Sequence, residues 1–130
     1  MTPELTALAS LVAIQVVFGL TVSTIVSGRT GMGYIFSSRD EDVDLHSGFV
    51  GRMHRARVNN FEALIYFTPT VTIVHLAEAS SPTTAIAAWT FVVARLGFIA
   101  CYALDLTPWR SLVWGVGLVA IVVMLGAAIL

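Results

Sequence analysis

Arg52-Met53-His54-Arg55-Ala56-Arg57-Val58-Asn59-Asn60-Phe61-Glu62 runs without a break into an apolar-rich stretch, residues 63–77. On an α-helix turning about 100° per residue, Arg52, Arg55, Asn59 and Glu62 fall within an arc of roughly 80°. Tyr66, four residues beyond Glu62, continues that face, and Asn59 and Glu62 are close enough along the helix to interact directly. The result is a polar stripe at the mouth of a membrane-length segment. A bilayer penalises such groups, by about 2.5–3.5 kcal/mol for an Arg at mid-depth even on mild scales. Two compensations stay open: a structural ion-pair network that locks helices together, or an anionic ligand with many hydrogen-bonding groups.

The rest of the chain supports a membrane setting. Of its 130 residues, 57% are hydrophobic and 12% charged, with a mean hydropathy of +0.86. Soluble domains carry about 25% charged residues. The net charge of −1 offers nothing to a nucleic acid. All seven basic residues are Arg, the side chain suited to bidentate recognition of carboxylate or phosphate, although genome composition produces the same bias. Cys101, the single cysteine, lies in an apolar stretch and reads as a small buried hydrophobe.

Apolar stretches of span length occupy residues 5–26, 85–104 and 111–130, and the polar stripe opens a fourth. The expected architecture is an all-α integral-membrane chain forming a four-transmembrane-helix antiparallel bundle. One domain covers residues 1–130, with helices near 5–27, 52–79, 83–104 and 108–130 and a long loop near 28–51. Short connections between the last three helices make them antiparallel neighbours. The N-terminal stretch lacks a basic leader and exceeds signal-peptide length, so it is expected to remain as the first helix. Arg29, Arg39, Arg52, Arg55 and Arg57 flank the long loop, whereas Glu4 and Glu78 mark the other side. The positive-inside rule then puts the loop in the cytoplasm and both termini opposite.

Arg95 lies deep in the third span, with Tyr102 seven residues on and therefore on the same face. An Arg95–Glu62 pair is the simplest structural account, and it leaves Arg52 and Arg55 without an acidic partner in the bundle. Arg52, Arg55, Arg95 and Arg110 outnumber Glu62 and Asp105, a cation surplus that favours an anionic ligand. Arg110-Ser111 opens the fourth helix after Thr107-Pro108. Arg110 reads either as an anchor at the membrane rim or as a guanidinium that stabilises a bound thiolate. Asp40-x-Asp42-x-Asp44 begins like a calcium loop, but Leu45 stands where glycine is required and Gly51 where a bidentate Glu is required. His46, His54 and His75 lack zinc spacing, so no metal site is expected.

Arg55-Ala56-x-x-Asn59-x-x-Glu62, with Arg52 one turn earlier, resembles the signature of the MAPEG family, the membrane-associated proteins in eicosanoid and glutathione metabolism. Ala94-Arg95-Leu96 with Tyr102, and Pro108-x-Arg110-Ser111, stand where that family carries its third- and fourth-helix motifs. Ser38-Arg39-Asp40-Glu41 resembles bacterial members, whose setting is the inner membrane. The resemblance runs from about residue 29 to 130. It implies a four-helix subunit of a homotrimer, with glutathione bound between neighbouring subunits near the cytoplasmic side. Arg55, Asn59 and Glu62 would hold the tripeptide, with Arg52 and Tyr66 on the same face. Arg95 and Tyr102 would reach it from the third helix, and Arg29 would add a basic contact. Arg110 would stabilise the thiolate with Ser111 as helper. Phe98 departs from the Tyr or His of many members, and Val58 from an Arg found in some.

The expectation is a membrane-bound glutathione-dependent transferase or peroxidase. Its second substrate would be a lipophilic electrophile or hydroperoxide arriving from the membrane lipids. Its rivals are a non-catalytic binding or scaffold trimer and, with less to support it, a small transporter using Arg95 as counter-ion.

Overall fold

The computed structural model describes Met1–Leu130 and is helical throughout, without strands. Its elements are α1 (Pro3–Thr30), α2 (Met32–Phe36), α3 (Gly48–Leu76), α4 (Pro82–Ala103) and α5 (Thr107–Ile129). The starts follow from local chemistry. Prolines at the first helical positions of α1, α4 and α5 sacrifice no intrahelical hydrogen bond. Ser81 caps α4 reciprocally with Thr84, each side chain accepting from the other's backbone N–H. Gly31, at φ 83°, ends α1 and turns the chain into α2. At Gly51 a Cβ would collide with the His46 carbonyl, so only glycine lets the loop fold back on the first turn of α3.

The contacts give the helix directions. Phe18 and Val22 of α1 cluster with Met53 and Ala56 of α3, while Ala7 and Leu11 belong with Phe67, Val71 and Val74. The two helices are therefore antiparallel. Arg52 reaches Tyr102 and Arg95 reaches Asn60, so α3 and α4 are antiparallel as well. Gly97 faces Val113 and Gly117 faces Phe91, which pairs α4 with α5 in the same sense. The main core lies towards the end that holds the chain termini, and Phe67 and Phe91 stack across it at 4.4 Å.

Only 26 of the 130 residues are buried, and Val17, Leu20, Ile65, Val93, Val119 and Val122 are among the apolar side chains facing outwards. That is the reverse of a water-soluble domain, and it suits a lipid-facing surface. Helices α1, α4 and α5 are long and apolar enough to cross a membrane. Helix α3 is longer than any of them but does not qualify, because its first half carries the polar stripe. Three helices thus meet the length and apolarity of a span, where four spans were expected. The loop expected over 28–51 is also shorter: α1 continues to Thr30, α2 lies inside it, and α3 starts at Gly48 rather than 52. The early start has a local cause, since Asp44 accepts from the backbone N–H groups of His46 and Ser47 just before the helix. Helix α3 ends at Leu76 and continues through Pro69, whose missing donor leaves one gap in the ladder.

Candidate functional site

Helix α4 carries Arg95 into the bundle interior, where it is 3% exposed. The pair with Glu62, the simplest structural account, does not form. Instead Arg95 Nε donates to Asn60 Oδ1 and Nη2 donates to Asn59 Oδ1, each at 2.9 Å. Asn60 is itself fully buried and donates from Nδ2 to Gln15 Oε1 of α1 at 2.7 Å. The Gln15 amide in turn donates to the Arg57 carbonyl at 3.5 Å. Three helices are thus tied by amides around a guanidinium that has no carboxylate within ion-pair distance. The Phe98 ring centroid lies 4.3 Å from the guanidinium carbon and offers it a π face.

The third nitrogen of Arg95 decides the character of the site. Nη1 makes no hydrogen bond within the chain, yet no fully buried side-chain polar atom is left unpaired. Nη1 is therefore not fully enclosed and has no partner in the chain. Arg95 also lines a cleft of about 410 Å³ between α3, α4 and α5, with Asn59, Glu62 and Tyr66 on its polar side. Phe91, Trp114, Gly117, Leu118 and Ile121 make the apolar side. The volume falls in the range of small-molecule sites, about 300–1,000 Å³. Glu62 has no cationic partner, so a carboxylate and a guanidinium both open on one cleft.

The stripe of α3 therefore divides. Asn59, Glu62 and Tyr66 reach the cleft, whereas its basic end does not. Arg52 donates to the Tyr102 carbonyl at 3.1 Å, pairs with Asp105 at 3.6 Å and lies near the Phe49 ring. This ion pair gives Arg52 an acidic partner in the turn between α4 and α5. Arg55 is exposed and donates to the His46 carbonyl at 2.7 Å. Arg29 pairs with Asp44 at 3.7 Å at the end of α1. Tyr102 stacks its ring edge against Phe98 and receives the Arg110 guanidinium at 4.8 Å from its centroid. Ser111 is exposed in the first turn of α5. Arg29, Arg52, Arg55, Tyr102, Arg110 and Ser111 thus gather at the loop end, outside the cleft of the single subunit. Asp44 belongs to the same end. The Ser47 hydroxyl and the backbone N–H groups of His46 and Ser47 hold its carboxyl at about 2.

Two residues at the heart of the arrangement, Asn60 and Gln15, were not singled out in the sequence. Each carries a signal in retrospect. Asn60 interrupts the buried series Met53, Ala56, Ala63, Phe67 on α3, and Gln15 interrupts Leu11, Phe18, Val22 on α1. A polar residue at a core position of a helix demands a partner. Cys101 is buried with a free thiol.

The model of the MAPEG family matches residues 5–130, nearly the whole chain. No curated protein and no solved structure matches it at significant similarity. The chain belongs to the MAPEG family, and its apolar helices make it a membrane protein of that group.

Proposed function

We propose that this MAPEG family member is a membrane-bound glutathione-dependent transferase or peroxidase, acting on lipophilic electrophiles or hydroperoxides. The observation that carries the reading is the open face of Arg95: a buried guanidinium without a counter-ion, presented to a cleft that also holds Glu62. Glutathione has two carboxylates, an amine and a thiol, and the donor set fits that chemistry. Arg95 would take an anionic group, Glu62 the amine, and Asn59 and Tyr66 the peptide groups. The apolar side of the cleft, with Trp114 and Phe91, would admit a second substrate from the bilayer.

The reaction needs the thiol as thiolate. Arg110 stands in the first turn of α5, where guanidinium charge and helix N-terminus both favour an anion. The thiolate would attack the electrophilic carbon, forming a thioether as the leaving group departs with its electron pair. With a hydroperoxide it would attack the terminal oxygen, breaking the O–O bond. The alkoxide takes up a proton to leave as the alcohol, and a second glutathione reduces the resulting sulfenic acid to the disulfide with release of water. Because Arg29, Arg55 and Arg110 lie outside the cleft of one subunit, the reading includes a homotrimer in which neighbouring copies complete the site. Helix α3, at 29 residues about 43 Å long, is ample to serve as the fourth span of a single domain. Arg29, Arg39, Arg52, Arg55 and Arg57 at the loop end favour a cytoplasmic loop and an inner-membrane setting, with both termini on the opposite side.

A scaffold reading has its own support in the Gln15–Asn60–Arg95–Asn59 network, which links three helices without any ligand. Titrating the purified protein with glutathione in detergent separates the two. Binding is expected, with affinity falling about tenfold or more in Glu62→Gln and Arg55→Ala. No binding by the wild type, with both variants merely weakening the assembly, establishes the scaffold.

A further inference from the structure

A buried arginine is ordinarily neutralised by a carboxylate, because an unpaired charge in an apolar interior is strongly unfavourable. Arg95 departs from that rule. Both of its partners are asparagine carbonyl oxygens, and the group behind Asn60 is the amide of Gln15. Asn60 is completely buried and Arg95 nearly so. Three amides in a row therefore satisfy the geometry of the guanidinium without cancelling its charge. An aspartate at position 60 would present the same acceptor to Nε and would cancel it.

We propose that Asn60, oriented by Gln15, is a positioning residue that fixes the Arg95 guanidinium while leaving its charge for an anionic group of the ligand. The inference rests on the cleft being a binding site, as proposed above, and assigns the cause of its selectivity for anions. Asn60 has three tasks. Its Oδ1 sets the plane of the guanidinium through Nε and leaves Nη1 without a partner in the chain. Its Nδ2 is anchored on Gln15 Oε1, so the amide cannot flip without losing both bonds. Its neutrality keeps the local potential positive. Within this network Glu62 is the only carboxylate lining the cleft, and it makes no ion pair with Arg95. The ligand's anionic group then completes a charge that the chain leaves uncompensated, an attraction that grows as the cleft loses water.

The test uses the full-length protein in detergent, titrated with glutathione and, separately, with glutarate as a simple dicarboxylate. Wild type, Asn60→Asp and Gln15→Glu are compared, with thermal melting of each recorded in the absence of ligand. Asn60→Asp gains a charge pair with Arg95 but loses its donation to Gln15, whose amide must turn over to donate in its place, so the variant should melt close to the wild-type temperature. Its affinity for the anion should nevertheless fall about tenfold or more. Gln15→Glu places its carboxylate one step further away and should give a smaller fall, which also covers the case of an Asn60→Asp protein that does not fold. A purely structural Asn60 predicts that binding falls only where stability falls with it. Undiminished affinity in Asn60→Asp, or in Gln15→Glu where the first variant does not fold, overturns the proposal. Wild type that binds glutarate with this dependence but not glutathione keeps the role of Asn60 and removes the glutathione reading. Wild type that binds neither anion overturns both.

Discussion

The guanidinium carbon of Arg110 sits 4.8 Å from the centroid of the Tyr102 ring, across the tight turn that joins α4 to α5. The ring holds the charge at the N-terminus of α5 without neutralising it. If Arg110 serves the thiolate, its loss should affect chemistry more than binding. Arg110→Ala is expected to lower kcat/KM for a lipophilic electrophile about 10²-fold, a typical effect of removing one charge-stabilising donor. The glutathione dissociation constant should change little. Equal turnover in wild type and variant removes Arg110 from the mechanism.

At the opposite end of the bundle, Glu4 is buried and accepts from the Thr84 hydroxyl at 2.5 Å and from the Ser80 hydroxyl at 2.9 and 3.0 Å. Thr84 also accepts from the Ser81 backbone N–H as part of the α4 cap. Thr84→Val keeps the shape and removes both roles. It should destabilise the protein by about 2–3 kcal/mol, whereas Thr84→Ser should restore most of the loss. Denaturant or thermal unfolding in detergent measures this, and an unchanged midpoint for Thr84→Val contradicts it.

Gly117 lines the cleft, where an added Cβ would stand 3.4 Å from the nearest carbon of the Phe91 ring. Gly117→Ala therefore requires an adjustment of a few tenths of an ångström at most and should change stability by about 1 kcal/mol or less. Gly117→Leu should fill cleft volume and weaken ligand binding about tenfold while the helices still assemble. Unimpaired binding by the leucine variant would show that the ligand sits elsewhere.

The Asp44 carboxyl, held at about 2 against an ordinary 3.8, ties the loop to the start of α3. Because its value in the fold is depressed, its contribution is present above the ordinary value. It is lost as pH falls through about 2. Hydrogen-exchange protection at the Ser47 amide should therefore hold between pH 7 and 4 and decline on further acidification. In Asp44→Ala that protection should be low throughout. A flat wild-type profile down to pH 2 removes Asp44 as the clamp.

Much of the architecture was open to reading in the residues themselves. Apolar runs of span length, Ser81-Pro82 and Thr107-Pro108 as helix starts, and the motif around Arg55, Asn59 and Glu62 all act through nearest neighbours or helical periodicity. Helix α2 and the early start of α3 were less visible. They depend on the backbone angle at Gly31 and on the close approach of His46 to Gly51. Of the proposed site, residue types and helix face could be recognised, but not which charges meet. Arg52 had Asp105 of the α4–α5 turn as a partner, and Arg95 had two asparagines in place of a carboxylate.

The division has a physical basis. Sequence alone determined a helical membrane chain, its MAPEG relationship and the presence of costly polar groups, because hydropathy, spacing and motif order are properties of the linear chain. Tertiary structure alone decided how those groups are compensated. Gln15, Asn60 and Arg95 lie on three helices, and their hydrogen bonds exist only once packing brings the helices together. That packing satisfies the geometry of the Arg95 guanidinium, leaves its charge uncancelled and turns it towards the cleft.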